Sequence, residues 1–352
     1  MAGESELELP AFAELRIAVV GHAVADRYVY ARPERLSREA PVPVFVESGE
    51  EVRPGGAANV AANLAALGCR VELYAPIGDD PVGRGLRREL ERRGVGVPID
   101  DACAAYRVPV KTRVLAAEPH RTPQQVLRID RPPTEAPSAA GIARLADELA
   151  RADVDAVLYS DYGYFDLAAY VAADRVLRER RVVRVLDPRL APGPFERLDA
   201  LTPNLDDFEA ALASGGAATD RDAGDLAARA GRAREHFCVR DLLVTLGNRG
   251  MLLASGDGAW HVPPTGRDGV VDVSGAGDTA AAVFTAAIAL GRSAPVAMAL
   301  ANAAAGDVVM ISGTVPVDLE RLRAAWPAAP KARALQRSVE LDAASRPDGG
   351  EL

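Results

Sequence analysis

The residues best suited to chemistry form one short stretch, Asp272-Val273-Ser274-Gly275-Ala276-Gly277-Asp278. Apolar residues precede it and small apolar residues at helical spacing follow it, so the pattern predicts a tight turn that opens a helix. The N-terminus of a helix presents unpaired N–H groups that bind anions, and glycines let a phosphate approach the backbone. A carboxylate at this position would repel the phosphate, so its presence is best explained if it accepts a proton from the group that attacks the phosphorus. The stretch therefore indicates phosphoryl transfer, although taken alone it favours the simpler interpretation that Asp278 caps the helix.

A second glycine-rich stretch lies near the start of the chain. Gly55 and Gly56 open a predicted helix of small residues that Gly68 ends. Asn59 is an amide on this nearly apolar helix and therefore needs a polar partner. A sugar hydroxyl would supply one.

Composition limits the classes of function. The chain has 352 residues and a formal net charge of −9, which argues against nucleic acid or an anionic membrane as a partner. A phosphorylated substrate remains open, because a local cluster of basic residues suffices to bind it. The cysteines at 69, 103 and 238 have no paired or metal-like spacing, so we expect buried side chains in a reducing compartment. With neither a signal peptide nor a long apolar run, the sequence predicts a soluble, cytoplasmic protein.

The elements that position these residues alternate between strand and helix, which predicts an α/β fold with a mainly parallel sheet. Two segments, at about 27–53 and 105–131, alternate apolar and polar residues without a helix. We expect these segments to form a small β-sheet, called the lid, over the site. The domain is predicted to span residues 12–327, with flexible tails at 1–11 and 328–352.

Polar residues follow several predicted strands, and in such sheets ligands bind beyond the carboxyl ends of the strands. His22 and Asp26 follow the first strand, and Asp161 follows the strand at 156–160. A turn cap and an acceptor for a substrate hydroxyl are both open interpretations of Asp26. A histidine such as His22 is, on its own, more often a satisfied structural residue than a catalyst.

Two separated motifs resemble one known family. Gly55-Gly56-(x2)-Asn59-(x3)-Asn63-(x4)-Gly68 is similar to the N-terminal signature of ribokinase-like (PfkB) sugar kinases, and Asp272-(x2)-Gly275-Ala276-Gly277-Asp278 to their C-terminal signature. The resemblance spans roughly residues 15–327. It implies a three-layer α/β/α fold with a mainly parallel sheet and a small β-sheet lid. It also implies that Asp278 is the catalytic base and that the amides of Gly275, Ala276, Gly277 and Asp278 form the anion pocket.

Longer runs, such as Glu39-Ala40-Pro41-Val42-Pro43-Val44 and 53–61, resemble bacterial D-glycero-D-manno-heptose 7-phosphate kinases. This resemblance implies phosphorylation of the anomeric hydroxyl to give the 1,7-bisphosphate. Because the chain ends at residue 352, we expect a stand-alone kinase without a nucleotidyltransferase half. Three departures leave the sugar open: His22 replaces the usual Asp, Tyr164-Phe165 replaces Lys-Gly, and Arg189 replaces the Lys of Asp-Pro-Lys.

The resemblance also implies roles for individual residues. ATP and Mg²⁺ are the implied cofactors, a monovalent cation remains an open requirement, and a homodimer through the lid is the implied assembly. Lys111, Arg113 and Arg128 are candidates for a sugar phosphate, and a solvated charged strand face is the alternative for them. The remaining implied sugar contacts are His22, Asp26, Gly55, Gly56, Asn59 and Asp161. The implied nucleotide contacts are Asn204, Thr245, Gly247, Gly250 and Asn302. The implied Mg²⁺ ligand is Asp207, at a position where the family has Glu.

Three rival interpretations follow from the same residues. One is a kinase of this family that acts on another sugar, sugar phosphate or nucleoside. Another is a sugar- or nucleotide-binding regulator without catalysis, which the intact stretch 275–278 argues against. A dinucleotide-dependent dehydrogenase is excluded, because no G-x-G-x-x-G follows the first strand.

Overall fold

The computed structural model describes residues 9–99, 101–118, 121, 123–189, 193–214, 226–265 and 271–335. Its strands are β1 (Arg16–Gly21), β2 (Ala23–Leu36), β3 (Pro43–Gly56), β4 (Arg70–Tyr74), β5 (Val95–Gly96), β6 (Val110–Ala116), β7 (Gln124–Arg131), β8 (Ala156–Ser160), β9 (Val183–Asp187), β10 (Ala200–Leu201), β11 (Asp241–Thr245), β12 (Met251–Ser255), β13 (Gly258–Val262) and β14 (Arg333–Ala334). Its α-helices are α1 (Ala57–Ala66), α2 (Pro81–Arg92), α3 (Ala139–Arg151), α4 (Val171–Glu179), α5 (Leu205–Ser214), α6 (Leu226–His236), α7 (Ala276–Ala289), α8 (Ala294–Val308) and α9 (Leu319–Ala325).

The central sheet has ten strands in the order β5-β4-β1-β8-β9-β10-β11-β12-β13-β14. The strands from β5 to β11 are parallel, and β12, β13 and β14 continue the sheet in antiparallel pairs. Central strands such as β1 are buried on both faces, which explains their continuous apolar sequence. The chain moves to one side of β1 to form β4 and to the other side to form β8. The switch point of the sheet therefore lies between the carboxyl ends of β1 and β8, where ligands bind in folds of this kind.

Helices cover both faces of the sheet, as predicted. Right-handed crossovers place α1, which leads from the lid to β4, and α4, which leads from β8 to β9, on opposite faces. Helix α7 packs between α1 and α8 and also touches β8 and β9. Its residues Thr279 to Ile288 are buried and mostly small, so neighbouring backbones can approach closely. This packing fixes the first turn of α7 at the carboxyl edge of the sheet.

The two irregular segments form the lid sheet, with strand order β3-β2-β6-β7. The β2–β3 and β6–β7 pairs are antiparallel, and β2 and β6 run parallel. Two strands extend beyond the predicted bounds of the lid. Strand β2 begins at Ala23, and β3 continues to Gly56, directly before α1. The lid is thus continuous with the glycine pair that precedes α1.

The structure differs from the sequence expectations at three places. Pro10 is buried, and β14 pairs with β13 beyond the predicted domain end at residue 327, because apolar residues on both segments pack against the core. Cys238 is exposed, since it lies in the turn that follows α6, whereas the other two cysteines are buried. The rest of the predicted tails, residues 1–8 and 336–352, lies outside the described residues. Within the described residues, none of the helices has the length and apolar character to span a membrane.

Candidate active site

The polar residues after the parallel strands converge on one cleft of about 360 Å³ at the carboxyl edge of the sheet. The loop after β8 supplies Asp161 and Tyr162, and the first turn of α7 supplies Asp278. The other lining residues are Asp187, Pro188, Arg189, Thr202, Asn204, Asp206, Asp207, Thr245, Gly275 and Gly277. This is the convergence that the positions of the polar residues predict.

The turn before α7 depends on Gly275 and Asp272. Gly275 is the N-cap of the helix with φ of 80°, a left-handed conformation that favours glycine. A Cβ at this position would lie 2.7 Å from Nδ2 of Asn59. The Asp272 carboxylate accepts the N–H groups of Ser274 and Gly313, each at 2.9 Å. The turn is thus held from both sides.

The turn leaves several amides free for an anion. The N–H group of Ala276 donates to the carbonyl of Val273 at 3.3 Å. Among the described residues, the N–H groups of Gly275, Gly277 and Asp278 have no backbone acceptor. A helix N-terminus with unpaired N–H groups favours an anionic ligand. Gly277 has open space where a side chain would project, so a phosphate can reach the backbone there.

Asp278 is held by two side chains from other elements. Asn59 on α1 donates its amide to Oδ2 at 2.8 Å, and the phenol of Tyr162 donates to Oδ1 at 2.8 Å. Both oxygens therefore bond outside the helix, so the carboxylate is not a helix cap. The polar partner expected for the Asn59 amide is therefore the Asp278 carboxylate. A contact of Asn59 with a sugar hydroxyl stays a prediction.

Burial raises the pKa of Asp278 to about 6, against the hydrogen bonds from Asn59 and Tyr162, which act to lower it. The Asp26 carboxylate raises the pKa further, and the Lys111 ammonium lowers it. A pKa near 6 leaves the carboxylate ionised at neutral pH and still basic enough to accept a proton. This is the tuning expected of a general base.

The three basic residues of the lid that the sequence singled out have different partners. Arg113 forms a buried ion pair with Asp26 at 2.7 Å, and Arg128 forms a two-pronged ion pair with Asp130 on the exposed face of β7. Lys111 instead lies over the ring of Tyr162, with Nζ 4.8 Å from the ring centre. Among the described residues, its ammonium has neither a carboxylate nor a hydrogen-bond partner.

Asp26 is also used within the protein, because its second oxygen accepts the Thr314 hydroxyl at 2.8 Å. The backbone N–H of Thr314 in turn donates to the phenol of Tyr28 at 2.7 Å. Asp26 thus ties β2 of the lid to the loop that follows α8. Asp26 and Arg113 neutralise each other in the interior, and their predicted contacts with a sugar and its phosphate stay predictions.

His22 is 1% exposed and does not face the cleft. Its Nδ1 accepts the N–H of Tyr162 at 2.9 Å, and its Nε2 lies 3.0 Å from both the N–H and the carbonyl of Phe165. Burial lowers the pKa of His22, which favours the neutral ring. The predicted sugar contact at His22 was wrong, because the ring supports the loop at 160–165.

Gly55 and Gly56 provide space rather than ligand atoms in this structure. A Cβ at Gly55 would lie 2.7 Å from the Asp26 carboxylate, and one at Gly56 would lie 2.5 Å from the His22 carbonyl. Gly56 also has φ of 56° and is the N-cap of α1. The pair therefore lets the lid strand β3 pass close to β2 and turn into the helix that carries Asn59.

The residues predicted to contact the nucleotide divide into two groups. Asn204 and Thr245 line the cleft and are joined by a β-bridge. Gly247 and Gly250 flank the turn between β11 and β12 and do not line the cleft. Asn302 donates its amide to the carbonyl of Pro263 at 2.8 Å, so it fixes the backbone after β13. The structure brings only the first pair directly into the cleft.

The family assignment rests on this fold and on a direct match. The model of the family described as pfkB family carbohydrate kinase matches residues 14–320. The chain belongs to this family. The buried Asp278 carboxylate and the unpaired N–H groups described above are compatible with the description of this family.

Similar proteins agree with that assignment. The kinase is 38% identical over 324 residues to the bifunctional protein HldE of Azotobacter vinelandii, covering 91% of this chain and 65% of the relative. It is 40% identical over 324 residues to the HldE of Halorhodospira halophila, covering 90% of this chain and 64% of the relative. The kinase thus spans just under two thirds of the length of these relatives. The crystal structure of phosphofructokinase-2 from Escherichia coli in complex with potassium has a TM-score of 0.68 at 15% identity, covering 89% and 99% of the two chains, and shows the fold alone.

The cleft is lined by several carboxylates, which suit a divalent cation. Burial raises the pKa of Asp187 well above its usual range, and the neighbouring Asp278 charge raises it further. Asp207 accepts the Asn204 amide, and burial raises its pKa also. No cluster of three or more ligating side chains occurs among the described residues. This donor set fits Mg²⁺, which is commonly held by one or two carboxylates together with water and phosphate oxygens.

Sequence reasoning missed the role of Tyr162. The tyrosine stands in a Ser-Asp-Tyr segment at the end of β8, from which only Asp161 was predicted to contact the sugar. Asp187, Arg189 and Thr202 also line the cleft without having been assigned to it. Their positions directly after β9 and β10 were the available signal, since side chains there reach the same edge as Asp161.

Proposed function

We propose that this kinase transfers the γ-phosphoryl group of ATP to the anomeric hydroxyl of D-glycero-D-manno-heptose 7-phosphate, giving the 1,7-bisphosphate. The observation that carries the proposal is the position of Asp278, a buried carboxylate in the first turn of α7 beside unpaired N–H groups. In the proposed reaction, Asp278 accepts the proton of the sugar hydroxyl as its oxygen attacks the γ-phosphorus. The N–H groups of Gly275, Gly277 and Asp278 bind the transferring phosphoryl oxygens, so catalysis is mainly positioning and charge stabilisation.

The nucleotide is proposed to lie along the carboxyl edge of the sheet, with its adenine toward Thr245, Gly247 and Asn302. Asp207, with Asn204 beside it, would hold Mg²⁺ at the phosphates, where the ion neutralises developing negative charge. A requirement for a monovalent cation stays a prediction from the resemblance.

Lys111 supports a phosphorylated acceptor. Burial lowers the pKa of its ammonium, and the nearby Asp26 carboxylate acts to raise it. Asp26 is paired with Arg113, and among the described residues the half-buried Lys111 ammonium forms no ion pair or hydrogen bond of its own, although the Asp26 and Asp278 charges act on it. A partly desolvated cation of this kind gains from binding an anion. A phosphate on the sugar would supply that anion.

Replacing Lys111 with methionine is expected to raise KM for the sugar phosphate by about 10- to 100-fold, because a charge-assisted hydrogen bond contributes about 1.5–3 kcal/mol. The value of kcat should fall by a smaller factor, because the Lys111 ammonium lowers the pKa of Asp278 and its loss leaves more of the base protonated. Steady-state ADP release at varied sugar concentration measures both constants. The matched control is Lys331→Met, because Lys331 is the other lysine of the chain and packs over Trp326 outside the cleft. An unchanged KM in the Lys111 variant would remove the phosphate-binding role.

The acceptor itself is tested by an ADP-release panel. The panel contains D-glycero-D-manno-heptose 7-phosphate, the same heptose without its phosphate, hexose and ribose phosphates, and a nucleoside. The proposal predicts the highest kcat/KM for the heptose 7-phosphate. A higher kcat/KM for another compound of the panel would support a kinase for a different sugar. The replacement of Lys-Gly by Tyr164-Phe165 is the change that could alter which sugar fits. Absence of turnover on every sugar would support a binding protein without catalysis.

A homodimer through the lid completes the proposal. Large apolar side chains are exposed on the lid strands and the turn between β2 and β3, namely Leu36, Val42, Val46, Val126, Leu127 and Ile129. A lid with this many exposed apolar groups favours burial against another surface. Light scattering should give twice the monomer mass at micromolar concentration, and the double variant Leu127→Glu, Ile129→Glu should shift the mass to that of a monomer. A wild-type protein that is monomeric under these conditions would contradict the dimer.

A further inference from the structure

We propose that Tyr162 is a positioning residue for the general base: its phenol sets the orientation of the Asp278 carboxylate and keeps that carboxylate ionised at neutral pH. The inference rests on the proposed function, because it assumes that Asp278 is the base. It concerns a residue that contacts the base and to which the sequence analysis assigned no role.

The first argument is the geometry of the carboxylate. A carboxylate on a short side chain can rotate about its last bond, and a single hydrogen bond leaves that rotation partly open. Here Asn59 donates to Oδ2 and Tyr162 donates to Oδ1, each at 2.8 Å, from opposite elements of the fold. The two donors together fix the carboxylate plane. Each oxygen still has a lone pair free, so a sugar hydroxyl can approach without displacing either donor.

The second argument is that the protein holds Tyr162 itself with several contacts. Its backbone N–H donates to Nδ1 of His22 at 2.9 Å, and its carbonyl accepts the Arg189 guanidinium at 3.3 Å. The ammonium of Lys111 lies over its ring. The buried His22 ring therefore fixes the backbone of Tyr162, the residue that holds the Asp278 carboxylate. The tyrosine connects the lid, the loop after β8 and the catalytic turn.

The third argument is electrostatic. Burial raises the pKa of the Tyr162 phenol well above its ordinary value, and the Asp278 charge raises it further. The phenol therefore remains a donor over the whole working range of pH. A donor that faces a carboxylate stabilises its ionised form, so the Tyr162 hydrogen bond lowers the pKa of Asp278 against the effect of burial. Loss of this donor would leave more of the base protonated at neutral pH.

The test is Tyr162→Phe, which removes one hydroxyl and retains the ring under Lys111. We expect kcat at pH 7 to fall by about 10- to 100-fold, because the carboxylate loses a donor that orients it and part of its ionised form. The acid limb of the kcat profile should move up by about one pH unit or more, since a hydrogen bond to a charged group is worth that shift. Activity should recover partly as pH rises. The KM for ATP should change little, because the phenol bonds to the base and not to the anion pocket.

The matched control is Tyr159→Phe. Tyr159 lies three residues earlier on β8, and its buried phenol donates to the Asp174 carboxylate at 3.1 Å. The substitution therefore removes the same kind of hydrogen bond outside the cleft, and it should leave the pH profile unmoved. The charged groups that face Asp278 are Asp26 on β2, Lys111 on β6 and Asp187 at the end of β9, and neither substitution alters them.

Two readouts separate this inference from the proposed function. If the wild type is active and Tyr162→Phe has the same kcat and the same acid limb, the positioning role is wrong and the proposed function stands. If the wild type phosphorylates no sugar, the proposed function fails, and the pKa of Asp278 is then followed by carboxyl ¹³C NMR, with Asp278→Asn assigning the signal. In that case a pKa that rises in Tyr162→Phe supports the hydrogen bond's role, and an unchanged pKa overturns it.

Discussion

Replacement of Asp278 by asparagine is expected to lower kcat by at least 10²- to 10⁴-fold, the loss that typically follows removal of a general base. Asparagine keeps the size of the side chain and cannot accept the proton of the attacking hydroxyl. The binding of ATP should persist within a few-fold, because the N–H groups of the turn belong to the backbone. Single-turnover phosphoryl transfer and ATP titration by calorimetry measure the two effects separately.

Stability provides the control for this variant. The pKa of Asp278 rises from the ordinary 3.8 to about 6 in the folded protein, so folding favours the protonated form. The stability that this contributes is fully present below pH 3.8 and is lost as pH rises through 6. At neutral pH the ionised carboxylate therefore costs on the order of 1–3 kcal/mol. The asparagine variant should unfold in urea at a concentration at least as high as the wild type at pH 7. Retained turnover in a folded variant would contradict the assignment of the base.

Replacement of Gly275 by alanine should reduce both activity and stability. The residue has φ of 80°, and its new Cβ would lie 2.7 Å from Nδ2 of Asn59 and 3.1 Å from Cγ2 of Thr314. A strained backbone conformation costs about 1–3 kcal/mol, which should appear as a lower free energy of unfolding. Displacement of Asn59 would release one oxygen of Asp278. We expect kcat to fall by about 100-fold or more, because a shift of about 1 Å in a catalytic group has that effect.

Two glycines serve as matched controls for this variant. Gly277 is inside the helix with open space around it, so alanine there should preserve stability and reduce activity only by occupying the phosphate position. Gly85 on α2 also has open space and lies outside the cleft, so alanine there should change neither activity nor the fold and should add a few tenths to about 1 kcal/mol of stability. Equal stability of the wild type and Gly275→Ala would show that the turn tolerates a side chain and would contradict the strain argument.

The sequence predicted the fold well because its signals are local and repeated. Continuous apolar strands such as β1 indicate a parallel sheet, and the absence of helical periodicity around residues 27–53 indicates the lid. The turn at Gly275 was equally readable, since glycine and a following apolar helix define it. Ordered structure continues beyond the predicted ends at residues 12 and 327, because short apolar segments outside them, such as the strand β14, gain stability only from contacts made in the folded state.

The site was predicted less completely, because a side chain's partner depends on the fold. Asp26 and Arg113 are 87 positions apart, and only the parallel pairing of β2 with β6 brings them together as an ion pair. Lys111 precedes Arg113 by two residues on the same strand, yet among the described residues it forms no ion pair and lies over the Tyr162 ring. The role of Tyr162 likewise depends on a hydrogen bond to a residue 116 positions away. Sequence spacing identifies candidates of the right chemical type, and the fold decides which of them are already paired.

The most direct test of the account is a crystal structure of the wild-type protein with Mg²⁺, a non-hydrolysable ATP analogue and the sugar phosphate that the activity panel selects. The account predicts that the terminal phosphate contacts the N–H groups of the turn at 275–278. It also predicts that the acceptor hydroxyl lies about 2.6–3.2 Å from the Asp278 carboxylate. A terminal phosphate bound elsewhere along the sheet, or an Asp278 carboxylate turned away from the sugar, would contradict the account.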